Sequence, residues 1–65
     1  MQNRDSDASK VKILHPNGES NVFDIIHRRE NGIIELTDKL WIDQDNQVWD
    51  HSSGDWFGEV IEYIS

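Results

Sequence analysis

The sequence lacks cysteine altogether and contains a single proline, Pro16. Without cysteine the chain can form neither a disulfide framework nor a thiolate zinc site, two common means of stabilising very small domains. No apolar run approaches the roughly 18–20 residues that span a bilayer, and the N-terminus has no apolar segment of the kind found in signal peptides. We therefore expect a protein of the cytoplasm.

Basic residues are missing from the last 26 residues of the chain. Residues 1–39 hold seven acidic and six basic side chains, whereas residues 40–65 hold six acidic and no basic ones. Neutralising phosphate requires clustered lysine and arginine, so this distribution argues against direct binding to nucleic acid and to anionic membranes. It favours a partner with a basic surface, although acidity also serves plain solubility.

The chain is short, and its 65 residues have room for one domain. Folding at this size buries only about 60% of the surface that the unfolded chain exposes, so a second copy in a homodimer is one candidate stabiliser. Residues 1–10 contain only Met1 and Ala8 as apolar residues and offer little to bury. We predict a disordered tail over residues 1–10 and one small β domain over residues 11–65.

Turn signals divide the rest of the chain into short runs rich in valine, isoleucine and aromatic residues. The signals are Asn17-Gly18, Asn31-Gly32, Asp45-Asn46 and Ser53-Gly54. Each dipeptide accepts a positive φ or starts a tight turn. Their spacing predicts an all-β fold, a small antiparallel meander of five to six strands.

The first two hairpins follow from these signals. Residues 12–15 are expected to pair with residues 21–27 around Pro16, which suits a strand end because it lacks an amide hydrogen. Residues 23–29 are expected to pair with residues 33–37 around a two-residue loop. That register places Arg28 opposite Glu35 as a cross-strand ion pair.

The stretch from Leu40 to Ile64 carries all three tryptophans and the only tyrosine. If residues 44–46 form a three-residue loop, Ile42 opposes Val48 and Trp41 opposes Trp49. The aliphatic pair must face the core. The two indoles are therefore predicted to lie side by side on the outer, acidic surface.

The last segment, Trp56–Ile64, is interpreted as a strand. Its apolar residues do not alternate cleanly, and they also fit helical spacing with Asp55 as an N-cap. The content of β-branched and aromatic residues favours a strand, and Gly58 indicates a bulge or bend. Apolar residues on both faces would suit a small barrel or a dimer contact.

The segment SSGDWFGEVIEYIS, Ser52 to Ser65, resembles the end of SH3 domains, where an acidic turn leads into a tryptophan-rich strand and a tyrosine follows. Phe57 stands where the second tryptophan would be, no proline precedes Tyr63, and the N-terminal half has no ALYDY-like run. The resemblance implies an SH3-like, partly open barrel and not membership in that family.

Motifs for metal binding fail on spacing. In an EF-hand count that begins at Asp43, the sixth and twelfth positions need glycine and glutamate, but they hold Val48 and Gly54. The three histidines fall on different predicted strands. We expect no metal site and no cofactor.

Motifs for catalysis fail as well. The run from His51 to Asp55 contains histidine, serine and aspartate, but these are consecutive in one predicted turn, whereas a triad needs a base within reach of an exposed nucleophile and a separate orienting carboxylate. We expect no catalytic residue and no enzymatic activity.

Exposed indoles among carboxylates are well suited to arginine or lysine, which stack on the ring and pair with the acid. The leading hypothesis is a noncatalytic, acidic protein-binding module that docks this face on a basic surface of a partner protein. In a sharper form it is an inhibitor of a nucleic-acid-binding protein, encoded by a phage or mobile element and acting as a nucleic-acid mimic. The predicted partner-binding residues are Trp41, Asp43, Asp45, Trp49, Asp50, Asp55, Trp56 and Glu59.

Two alternatives remain open. In the first, the tryptophans form the groove of an SH3-like or aromatic-cage reader of short proline-rich or methylated-lysine peptides. In the second, the protein is a structural homodimeric subunit in which the C-terminal strand pairs with its copy.

Overall fold

The structure, a computed structural model, describes residues 8–65 as a closed barrel. Each strand pairs antiparallel with the next, and the last returns to pair with the first, so the predicted all-β meander of five to six strands is confirmed. The barrel is closed rather than partly open. Within residues 8–65 the only helical segment is a three-residue turn, so no helix there could cross a membrane. The elements are β1 (Lys10–Leu14), β2 (Ser20–Arg28), β3 (Ile34–Leu36), the 3-10 turn (Thr37–Lys39), β4 (Leu40–Ile42), β5 (Gln47–Asp50) and β6 (Trp56–Ile64).

Residues 8–10, which the prediction assigned to the tail, are part of the barrel. Ala8 is 7% exposed, the Ser9 amide donates to the Ile64 carbonyl at 3.0 Å, and Lys10 opens β1. The composition of residues 1–10 did not indicate this strand pairing, because the pairing is made by backbone N–H and C=O groups, which nearly every residue carries. The rest of the predicted disordered tail, residues 1–7, lies outside the described residues.

The interior of the barrel is filled by aliphatic side chains from four of the six strands, β1, β3, β4 and β5. Alternation along β1, β3 and β4 turns every second residue inward, as a sheet with one buried face requires. None of the central side chains is more than 3% exposed. They are Val11, Ile13, Ile34, Leu36, Leu40, Ile42 and Val48.

The predicted register of β2 against β3 is wrong by one residue. The loop spans residues 30–32, so His27 rather than Arg28 opposes Glu35. The ion pair to Glu35 is made by Arg29 instead. One extra loop residue shifts every pairing behind it, and an Asn-Gly signal is compatible with either loop length.

Bulges explain where the apolar pattern fails to alternate. Ile26 in β2 and Ile61 in β6 are each an extra residue relative to the neighbouring strand, and they are 62% and 48% exposed. The bulge at Ile61 brings Val60 and Tyr63 onto the same side of β6, where both pack against the core. The C-terminal segment was expected to have two apolar faces. It has one face that packs against the core, and the remaining apolar side chain, Ile61, is exposed because it lies in the bulge.

The C-terminal segment is a strand, as predicted, and it bends near Gly58. Phe57 is the extra residue where β6 pairs with β5, and β6 then continues alongside β1. A Cβ at position 58 would lie 2.3 Å from the carbonyl oxygen of Leu14. Only glycine allows β6 to pass this close to β1 and close the barrel.

Candidate protein-binding face

Three tryptophans stand in one cross-strand row on the outside of the barrel, called the tryptophan row below. Trp41 of β4 opposes Trp49 of β5, which opposes Trp56 of β6. Ile42 and Val48, their neighbours in sequence, are fully buried, so strand alternation turns the indoles outward. Trp41 and Trp49 are half-buried, while Trp56 is 43% exposed. The predicted pair of indoles on the outer face is confirmed and extended by a third.

The orientation of the indoles is fixed by one ring stack and by hydrogen bonds from two of the indole N–H groups. The rings of Trp41 and Trp49 stack with centroids 6.2 Å apart and planes 23° from parallel. The Nε1 of Trp49 donates to Asp43 Oδ2 at 2.9 Å, and the Nε1 of Trp56 donates to Gln47 Oε1 at 2.9 Å. With these N–H groups satisfied, the rings are restrained before any partner arrives.

Asp43 supports this face from within. Its Oδ1 accepts the amides of Asp45 at 2.8 Å and Gln47 at 3.0 Å, and its Oδ2 accepts the indole of Trp49. Both carboxylate oxygens are therefore used to shape the β4–β5 loop and to hold an indole. Asp43 positions the tryptophan row, and its carboxylate has little capacity left for a partner.

Three other predicted carboxylates are open to solvent. Asp45 at the β4–β5 loop, Asp55 before β6 and Glu59 in β6 are all exposed. Their carboxylates make no hydrogen bond or ion pair with any residue between 8 and 65. Glu59 opposes Gln47, which binds the Trp56 indole, so this carboxylate stands two residue pairings away from the row. These are the acidic groups that can meet a cation from outside.

Asp50 has a local structural role. Its Oδ1 accepts the hydroxyl of Ser52 at 2.6 Å and the amide of Ser52 at 2.9 Å, which fixes the turn between β5 and β6. The hydroxyl bond, followed by the amide bond, holds the pKa of Asp50 below its ordinary value of about 3.8. A carboxylate committed to its own turn is a weaker candidate for partner contact than Asp45, Asp55 or Glu59.

Sequence reasoning missed two neighbours of the row. Glu35 opposes Trp41 across β3 and β4 and pairs with Arg29, and Gln47 orients Trp56. Gln47 stands two residues before Trp49, so strand alternation could have found it. Glu35 could not be placed, because its position next to Trp41 depends on a strand pairing across the 3-10 turn.

The histidines do not converge. His15 contacts Asn21 at 2.7 Å and packs edge-on against Phe57 with ring centroids 4.8 Å apart, while His27 is exposed in β2 and His51 is exposed in the turn after β5. Over the described part of the chain, no three histidine or acidic side chains are grouped closely enough to hold a metal ion.

The whole face thus combines a row of restrained aromatic rings with carboxylates that have no partner in the described part of the chain. Such a surface can stack on flat or cationic groups and pair with positive charge. In comparisons with known proteins, no protein-family model, no curated protein and no solved structure matches this chain.

Proposed function

We propose that this protein is a noncatalytic binding module that docks the tryptophan row on a basic surface of a partner protein. The observation that carries the proposal is the continuous outward row of three indoles beside carboxylates that make no hydrogen bond or ion pair within residues 8–65. Asp45, Asp55 and Glu59 supply the negative charge, and Asp43 holds the row in place.

The energetics favour a cationic partner. An arginine or lysine stacked on an indole contributes about 0.5–2 kcal/mol, and more when it becomes desolvated. Tryptophan is among the residues that dominate binding energy at protein interfaces. The formal charge of −7 would also steer a basic partner toward the protein, with a strength that falls as salt is added.

The shape of the row favours a flat platform over a cage. An aromatic cage surrounds one cation with rings, whereas here Trp41 and Trp49 lie side by side with their planes 23° from parallel. A flat platform of this kind matches an extended partner surface, whereas binding of a single methylated lysine requires rings on several sides of the cation. The peptide reader is therefore the weaker proposal.

Dimerisation by strand pairing is also less favoured. One edge of β6 pairs with β5 from residue 56 to residue 59, and the other pairs with β1 from residue 59 to residue 64. Over these paired stretches a second copy would have to open the barrel before it could add a strand, and only a short part of each edge is left for pairing.

The sharper form of the proposal concerns the identity of the partner. If the partner binds nucleic acid, the carboxylates of Asp45, Asp55 and Glu59 would occupy positions that phosphates otherwise fill, and the protein would inhibit as a nucleic-acid mimic. The net charge of −7 supports this form. Competition is its test: nucleic acid should displace the protein from the partner.

A titration with a defined cationic probe tests the basic-surface proposal. A short arginine–glycine peptide is added to ¹⁵N-labelled protein, with a serine–glycine peptide as the neutral comparison. We expect the Nε1–H signals of Trp56 and Trp41 to shift with the arginine peptide alone. The apparent affinity should fall steeply between low and high ionic strength.

Paired variants locate the binding. Trp56→Ala and Glu59→Gln should each weaken the interaction about three- to tenfold, which corresponds to the loss of one cation contact. Glu62→Gln is the matched control, because it removes an exposed β6 carboxylate that opposes Lys12 rather than the row. The proposal would be contradicted if Glu59→Gln and Glu62→Gln lowered the affinity equally, or if the affinity did not change with ionic strength.

A further inference from the structure

A groove of about 660 Å³ opens beside the tryptophan row, between the end of the β2–β3 hairpin and the 3-10 turn. Its walls include the apolar side chains of Ile26 and Ile33 and the indole of Trp41. Trp49 and Trp56 do not line it. The volume lies within the range of about 300–1,000 Å³ that small-molecule sites occupy, and such sites are mostly apolar with a few converging polar groups.

Two local distortions shape the groove. The bulge in β2 turns Ile26 outward, where it is 62% exposed. Asp38 and Lys39 both have left-handed backbone angles, with φ of 64° and 62°, which make the tight corner from β3 to β4. Consecutive non-glycine residues in this region are uncommon and cost about 1–2 kcal/mol each. The corner places both of their side chains in the lining.

Some of the charged and polar side chains that line the groove form an ion pair with each other, and others do not. Arg29 is engaged with Glu35, so these two charges cancel. Lys39 and His51 are neighbours, since the His51 amide donates to the Lys39 carbonyl at 2.7 Å. The Lys39 ammonium and the His51 ring have no hydrogen bond or ion pair within residues 8–65, although Lys39 attracts the carboxylate of Asp50 from beyond ion-pair distance. The remaining acidic group in the lining is Asp38, which is exposed.

We propose that this groove binds a small organic carboxylate with an apolar body. The apolar part would lie against Ile26, Ile33 and Trp41, and the carboxylate would meet Lys39 and His51. Asp38 would oppose the ligand's charge and weaken the complex. This site shares Trp41 with the tryptophan row but takes a ligand of the opposite charge, and it does not depend on a basic partner.

The test uses 3-phenylpropionate as the acid, its amide as the neutral isostere, and a phenylalanine-containing acidic peptide as the macromolecular alternative. Binding is followed by NMR on the labelled protein. The acid should shift the Trp41 indole and the backbone signals of Lys39 and His51. It should bind about three- to tenfold more tightly than the amide, as expected for one partly exposed charge-assisted contact.

Two substitutions at the corner should act in opposite directions. Lys39→Gln should weaken binding of the acid about three- to tenfold and leave the amide unchanged. Asp38→Asn should strengthen binding of the acid, and asparagine tolerates the left-handed backbone that this position requires. Lys12→Gln, in β1 and outside the groove lining, is the matched control and should change neither.

Several outcomes would overturn the proposal. The acid and the amide could bind equally, the Asp38→Asn and Lys39→Gln effects could share one sign, or Lys12→Gln could match Lys39→Gln. Binding of the acidic peptide without binding of the small acid would assign the groove to a macromolecule instead. The spectrum of each variant before ligand is added verifies that it is folded.

Discussion

The indole of Trp49 and the carboxylate of Asp43 are joined across the β4–β5 hairpin by a 2.9 Å hydrogen bond from Nε1 to Oδ2. Through its other oxygen, Asp43 also binds the amides of Asp45 and Gln47. One side chain therefore couples the shape of the loop to the orientation of the tryptophan row. The row depends on this loop for its geometry.

Asp43→Asn should break this coupling selectively. The asparagine oxygen can still accept the two loop amides, but its NH₂ group would face the indole N–H of Trp49 as a second donor. We expect the free energy of unfolding to fall by about 1–2 kcal/mol, as for a lost hydrogen bond to a charged group. Urea denaturation measures the change, and the Trp49 Nε1–H resonance should move.

Asp45→Asn is the matched control for this prediction. It stands in the same loop, but its exposed carboxylate makes no hydrogen bond within residues 8–65, so its effect should stay within about 0.5 kcal/mol. If Asp43→Asn costs no more than Asp45→Asn, the carboxylate does not support the row.

Gly58→Ala should be among the most damaging single-methyl changes in the barrel. The added Cβ would lie 2.3 Å from the carbonyl oxygen of Leu14 and 3.0 Å from a methyl carbon of Ile13, so β6 must move away from β1. We expect a loss of about 2–3 kcal/mol in denaturant unfolding, typical of forcing extra atoms into a packed site.

Gly54→Ala separates crowding from backbone conformation. Gly54 has φ of 78° and open space around the added methyl, so its cost should be about 1 kcal/mol and purely conformational. A loss at Gly58 no larger than the loss at Gly54 would show that the two strands are not in tight contact.

Asp50 should make the stability depend on pH in a known direction. Its pKa is lowered in the folded protein, first by the hydroxyl of Ser52, so the ionised form favours folding. This contribution is fully present above the ordinary value of about 3.8 and is lost as the pH falls through the lower folded value. Asp50→Asn should remove it.

Unfolding midpoints measured from pH 7 downward test this sign. The difference between the wild type and Asp50→Asn should be constant at neutral pH and should shrink once the pH drops below about 4. Asp55→Asn, which changes an exposed carboxylate that makes no hydrogen bond, is the control. A difference that grows in acid would mean that the Ser52 contacts do not favour the charged form.

The sequence was most informative where a hairpin loop could be counted. Residues 44–46 gave the correct register of β4 and β5, and with it the outward pair Trp41 and Trp49. The same reasoning misplaced Arg28 against Glu35, because the Asn-Gly turn signal did not reveal that the β2–β3 loop has three residues. Counting residues from a turn gives the correct strand register only when the turn sequence fits a single loop length.

Site residues divide in the same way. The outward positions of Trp41 and Trp49 were predictable from alternation, but Trp56 joins the row only through the bulge at Phe57. The roles of Asp43 and Asp50 as internal supports depend on side-chain hydrogen bonds that spacing cannot show. The groove beside Trp41 required the corner at Asp38 and Lys39, which no local signal marked.

By itself the sequence determined that this is a small antiparallel β protein, because alternating apolar residues and turn dipeptides act over only a few neighbours. It also determined that the charge gathers in the C-terminal part. Tertiary structure alone decided that the sheet closes into a barrel, that three bulges reset the strand faces, and that three indoles align. These features depend on pairing between residues distant in the chain, where each register is chosen by the packing of all six strands together.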